Sequence, residues 1–279
     1  MLGRIAIDLN QDSNYDRRLK VGIKLALEHG AQLVGVYTSL LTKQYLYGGD
    51  TALPSQARAI LETAIDQQMT TAKESFLQQT GDAGVAASWR APKGEALEAL
   101  ALHSRFCDIL IMSHIVENTS MKNLFPYRGD SIITSAGRPV LIVPHADALP
   151  TLGKSVLICW DSSQRAARAL SDAAPFLERA SKVIAISVNM NKEMLETQDI
   201  VPDDLSTYCA SHHYPELIEV HMTRPRNEIA EAILAAANDY DCDLIVMGAY
   251  SHSPLREWTF GGTSTTLLQS MRVPVLFSH

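Results

Sequence analysis

Residues 107–116 read CDILIMSHIV and residues 242–251 read CDLIVMGAYS, two copies of one pattern displaced by 135 positions. The same displacement carries RPVLIVP at 138–144 onto VPVLFSH at 273–279. Two matches at one offset mark an internal duplication, which decides the fold before any motif is weighed. Within each copy the runs ILIM, LIVM, VLIV and VLIC are continuously apolar rather than alternating. Such runs suit strands buried on both faces of a parallel sheet.

Working outward, each copy opens in the same way. GRIAIDLNQDS from residue 3 and KSVLICWDSS from residue 154 are short apolar strands that stop at a polar turn. The next segments place Leu19, Ile23, Ala26 and Leu27, or Ala166, Leu170, Ala173 and Leu177, at helical spacing. A second strand comes after them (AQLVGVYTS or SKVIAISVN), then a polar helical stretch, then weak strands near 86–89 and 217–221. KGEALEALALHSRF and NEIAEAILAAANDY are the helices that deliver the chain to its fourth strand. Strands separated by helices imply right-handed βαβ units. The expected fold is α/β: two open, doubly wound, five-stranded parallel-sheet domains in tandem, residues 1–146 and 152–279, joined through PHADALPTLGK. The longest irregular pieces, near 40–56 and 191–216, lie outside the carboxyl ends of strands, where such folds bind ligands.

Composition narrows the partners. The 279 residues are 46% hydrophobic and 20% charged with a formal net charge of −7, ordinary globular usage without a global positive field for nucleic acid or anionic lipid. Cutting after Pro150 leaves −1 on the first part and −6 on the second. No run of 18 apolar residues and no cationic leader is present, so a cytoplasmic protein with no membrane partner is expected. Cys107, Cys159, Cys209 and Cys242 form no C-x-x-C pair, which leaves free thiols rather than a zinc knuckle or disulfide framework. Trp89, Trp160 and Trp258 are too dispersed for a base-stacking platform and suit sheet edges.

Neither a Walker lysine motif nor a G-x-G-x-x-G after a strand occurs. The fourth strand of the second copy runs instead into G248-A-Y-S251, nine residues, then G261-G262-T263-S264, a loop able to present backbone N–H groups to a phosphate. The chain resembles a tandem universal stress protein of the UspA-like family, on the strength of LIVMGAYSHSPLREWTFGGTSTTLLQSMRVPVLFSH. In nucleotide-binding members of that family a G-x2-G-x9-G-[ST] loop cradles phosphate. An acidic residue after the first strand stands near the nucleoside. The resemblance implies that Gly248 and Gly261 fill two glycine positions, Ser251 replaces the middle glycine, and Gly262 replaces the hydroxyl residue, with Thr263 and Ser264 beside it. Asp161 matches the acidic position. Apart from the resemblance, His252, within the loop beside Arg256, is a candidate anion contact, and a surface pair of Arg256 with Glu257 or a nearby Asp is the alternative for the arginine. The implied cofactor is ATP or another adenine nucleotide in the second copy; a retained fold signature around an empty cleft is the alternative.

The first copy has Ser113, Val116, Pro126 and Tyr127 at the signature positions and Asn10 at the acidic one. Proline lacks an N–H, so the cradle is lost there. Asp8 and Asp12 lie near the same sheet edge and would repel phosphate unless a cation intervened. Asp12, Asp16 and Asp161 are read first as turn or capping residues. His212, His213 and His221 match no metal spacing, and no G-x-S-x-G elbow is present, so neither a metal site nor a catalytic residue is expected. Function is expected to be small-ligand sensing or signalling in a stress response. A ligand-free interaction scaffold and a slow nucleotide hydrolase are the alternatives. By resemblance, PVLIVP and PVLFSH pair the two domains intramolecularly. A homodimer and an unidentified protein partner stay open.

Overall fold

A computed structural model describes residues 1–10, 12–38, 55–93, 95–113, 129–145, 150–190, 197, 199, 201, 204–249, 266–268 and 270–279. The chain divides into two compact units, Met1–Val140 and Leu141–His279. Both are α/β, and every strand pairing described is parallel.

The first unit holds β1 (Arg4–Asp8), α1 (Tyr15–His29), β2 (Gln32–Val36), α2 (Ser55–Asp82), β3 (Ala87–Arg90), α3 (Ala96–Ser104), β4 (Ile109–Ser113) and α4 (Gly129–Ser135), and β5 (Val140–Val143) opens at the division. Its strand order is β3-β2-β1-β4-β5. Ile5 faces Leu33 of β2 on one side and Ile109 of β4 on the other. The second unit holds β6 (Ser155–Cys159), α5 (Gln164–Asp172), α6 (Ala174–Leu177), β7 (Lys182–Val188), α7 (Asp204–Ser211), β8 (Leu217–Met222), α8 (Ile229–Asp239), β9 (Leu244–Gly248) and β10 (Val275–Ser278). Its order, β10-β9-β6-β7-β8, repeats the first with the sequence roles preserved. In each unit the strand order reverses beside the first strand, which opens a crevice at the carboxyl ends of the first and fourth strands.

The strands obey the expected burial. All five residues of β4 and all four of β5 and β10 are buried. The edge strands β3 and β8 are only partly covered. Trp89 closes the β3 edge by stacking on Tyr37 with ring centroids 5.6 Å apart and by meeting Phe76 at 6.2 Å.

The duplicated Cys-Asp pair has a structural cause. Asp108 Oδ2 accepts hydrogen bonds from the backbone N–H of Gly3 at 2.7 Å and Arg4 at 2.9 Å. In the second unit Asp243 Oδ1 accepts from Lys154 at 2.9 Å and Ser155 at 3.0 Å. Each carboxylate thereby satisfies otherwise orphaned donors at the start of the first strand and fixes its register against the fourth. The cysteine before it is a small buried side chain in both units.

Two helical expectations need correction. In α1 the buried stripe is Tyr15, Arg18, Leu19, Val21, Gly22, Leu25, Ala26 and His29; Leu27 is 56% exposed, because the core-facing stripe is rotated from the one read at Leu19, Ile23, Ala26 and Leu27. The single helix read after β6 is two, α5 and α6, with Pro175 in the first turn of the second, where its missing N–H costs no helical bond. Ala166, Leu170, Ala173 and Leu177 are nevertheless all buried.

Candidate functional site

The crevice of the second unit is built from the end of β6, the start of α5 and the end of β9. Trp160 leaves β6 with its N–H still donating to Ile186 of β7 at 2.9 Å. The chain then turns tightly: Ser162 has φ 60, a left-handed conformation that is uncommon outside glycine. Asp161 Oδ1 accepts from Ser163 N–H at 3.0 Å, and Ser163 Oγ caps α5 by accepting from Ala166 N–H at 3.1 Å. This carboxylate-turn-serine arrangement aims the first turn of the helix across the end of the sheet. The Asp161 side chain is exposed at the mouth.

Gly248 ends β9, the strand paired with β6. A Cβ placed there would lie 2.6 Å from the carbonyl carbon of Arg165 and 2.9 Å from Ala166 N, closer than real atoms approach. The helix backbone therefore rests directly on the bare Cα, and glycine is required because backbone, unlike a flexible side-chain tip, cannot move aside. The contact brings the positive end of α5 against the carboxyl end of β9. Arg165, half-buried in that first turn, adds a full positive charge near His279, whose imidazole is held below its usual pKa by partial burial and then by Arg165. Cys159, at the end of β6, is pushed up to about 12, by desolvation first and Asp161 second, so its thiol is unionised and a poor nucleophile at neutral pH.

Of the residues read from sequence, Asp161 follows β6 and Gly248 ends the neighbouring β9. Ser251, His252, Gly261, Gly262, Thr263 and Ser264, with Arg256 and Trp258, lie outside the described residues. Arg165 was missed by sequence reasoning; its signal is an arginine two residues after a Ser N-cap, at the positive end of a helix leaving the first strand.

In the first unit the equivalent place is filled by the chain itself. Arg18 of α1 is 1% exposed. Its Nε–H donates to the Asp8 carbonyl, Nη2 to the Asn10 carbonyl at 2.6 Å, and Nη1 to Ser113 Oγ at 3.0 Å and to Asp12 Oδ2 at 3.0 Å. Beside it the buried Asp8 carboxyl is raised above its usual pKa, by desolvation first, with Arg18 and the Asn10 N–H opposing. Asn10 Nδ2, Tyr15 Oη and Thr38 Oγ1 are buried in this unit without a hydrogen-bond partner among the described residues. Ser113 stands at the position equivalent to Gly248. The positive charge beside Asp8 and Asp12 is thus supplied by the chain itself, and helical periodicity gives no signal for it.

Residues 153–279 match the model of the universal stress protein family. The whole chain superposes on a universal stress protein from Archaeoglobus fulgidus DSM 4304 with a TM-score of 0.74 at 17% identity, covering 99% of this chain and 95% of that one. The fold is that of universal stress proteins. The chain carries it twice, in tandem, over nearly its whole length. A protein of unknown function from Pseudomonas aeruginosa PAO1 shares the fold with a TM-score of 0.63 at 16% identity, covering 99% and 92%. The cytoplasmic domain of a prokaryotic cation chloride cotransporter does so at 0.52 and 12%, covering 99% and 95%. A shared fold does not fix a role, so function has to be argued from the crevice. No curated protein matches the sequence. Among the described residues no group of three or more His, Cys, Asp or Glu is placed to hold a metal, and no helix is long and apolar enough to cross a membrane.

Proposed function

We propose that this protein acts in the stress response as a small-ligand sensing module whose second unit takes ATP or another adenine nucleotide. The reading rests above all on Gly248: the first glycine of the loop signature sits where the helix backbone is pressed on the strand end, so the signature occupies a structurally demanding position. The positive end of α5 and Arg165 favour a negatively charged group there. Asp161, at the mouth, suits hydroxyl or amino hydrogens of a nucleoside. Backbone N–H groups of the segment from Ser251 through Gly261, Gly262, Thr263 and Ser264, with His252, would complete the phosphate contacts.

Native mass spectrometry of protein purified without added ligand, followed by titration with ATP, tests the reading. A nucleotide-sized mass that recurs and is competed by ATP supports it. No adduct at millimolar ATP in the folded chain leaves the scaffold reading in its place. Phosphate release above that of a Gly261→Val control would favour slow hydrolysis over sensing.

A further inference from the structure

The first unit closes its own crevice, an observation independent of whether the second binds nucleotide. Four acceptors from three elements converge on one guanidinium: two carbonyls that leave β1, the Asp12 carboxylate before α1, and the Ser113 hydroxyl at the end of β4, 95 residues away. Arginine's planar fork suits such a set of divergent acceptors, whereas lysine's single ammonium cannot reach all of them. We propose that the carboxyl-end crevice of the first unit is a guanidinium receptor permanently occupied in cis by Arg18, which locks this unit against external anions.

Three features carry the proposal together. The side chain is buried while its acceptors are strongly polar, a combination that is retained only when the charge is fully met. Ser113 replaces the glycine that the second unit requires, so here a side chain from the fourth strand meets the arginine head instead of a helix backbone. The receptor is acidic on its open side, because Asp12 is 24% exposed beside the buried arginine, and it offers an incoming phosphate repulsion rather than a nest.

In the wild-type full chain, nitrogen-15 arginine NMR should show an Arg18 Nε–H that exchanges at least about 100-fold slower than free arginine. It is identified by its loss in Arg18→Lys. Arg18→Ala should lower Tm by roughly 6–20 °C. Ethylguanidinium at about 10 mM should restore part of that loss in the variant while leaving wild type unmoved. If the alanine variant does not fold, the same ion should raise its refolding yield, and the wild-type exchange measurement decides alone. Free-arginine exchange rates at Arg18, an Arg18→Ala chain as stable as wild type, or nucleotide or inorganic phosphate bound in the first unit with Arg18 in place would each overturn the proposal.

Discussion

The two crevices begin from the same architecture and end in opposite chemistry. In the second unit the fourth strand finishes in Gly248, α5 settles its backbone on it, and Asp161 and Ser163 form the turn and cap at the start of that helix. In the first the same position is Ser113, the helix reaches it through Arg18, and the crevice is filled with an internal ion pair. At this one equivalent position, helix backbone meets the sheet in one unit and a side chain meets it in the other. Both helices carry an arginine near their start; Arg18 is buried against Ser113 and Asp12, whereas Arg165 is half-buried.

The contrast is tested most severely at Gly248. Gly248→Val drives a side chain into the backbone of Arg165 and Ala166, and should cost about 3 kcal/mol or more in the second unit, read by urea unfolding. Loss of ligand binding in that variant therefore reports on packing, and Asp161→Ala or Gly261→Val is the better probe of binding. At the equivalent position Ser113→Ala removes one hydrogen bond to a charged group and should cost about 1–3 kcal/mol. Equal losses at the two positions would erase the distinction.

The features that the units share can be probed in the same way. Asp108→Ala and Asp243→Ala each leave two strand-start N–H groups without their carboxylate, and both should lose roughly 1–3 kcal/mol, matched within experimental error. A large inequality would mean that the repeated Cys-Asp pair does different work in the two copies.

Asp8 offers a pH signature of the closed crevice. Its carboxyl is raised above 3.8 by burial, against the pull of Arg18 and the Asn10 N–H, with Asp12 adding to the rise. The folded chain therefore holds that proton more tightly than the unfolded chain. This stabilisation is fully present below the unfolded value and is lost as pH climbs through the folded one. Asp8→Asn should gain stability relative to wild type as pH rises across that window, in denaturation series at fixed ionic strength. A variant that instead loses stability with rising pH would place Asp8 as an ionised partner of Arg18. The smallest effect is expected at the α5 cap, where Ser163→Ala should cost about 1 kcal/mol.

Much of this fold was legible because its signals are local and repeated. The apolar runs at 109–112 and 244–247 marked central strands, and the recurring Cys-Asp pair marked the duplication even though its hydrogen bonds to residues a hundred positions away are visible only in three dimensions. Asp161 and Gly248 could be read as following the first strand and ending the fourth, which are neighbours in the sheet. Arg18 was not, because hydrophobic periodicity assigns an arginine to the solvent face and slides the stripe toward Leu27. Its burial depends on Ser113, far away in sequence, and on carbonyls that carry no side-chain signal. The sequence showed only that Asp8 and Asp12 would repel phosphate without an intervening cation; that Arg18 supplies a buried positive charge beside them was not readable.

The central claim is that the chain has one crevice open to anions and one closed by Arg18. Native mass spectrometry of the full chain titrated with ATP, alongside Asp161→Ala and Arg18→Ala, tests it most directly. A single adduct per chain, weakened by Asp161→Ala and retained in folded Arg18→Ala, is the predicted result. Two adducts on the wild-type chain, or one that survives Asp161→Ala undiminished, would contradict it.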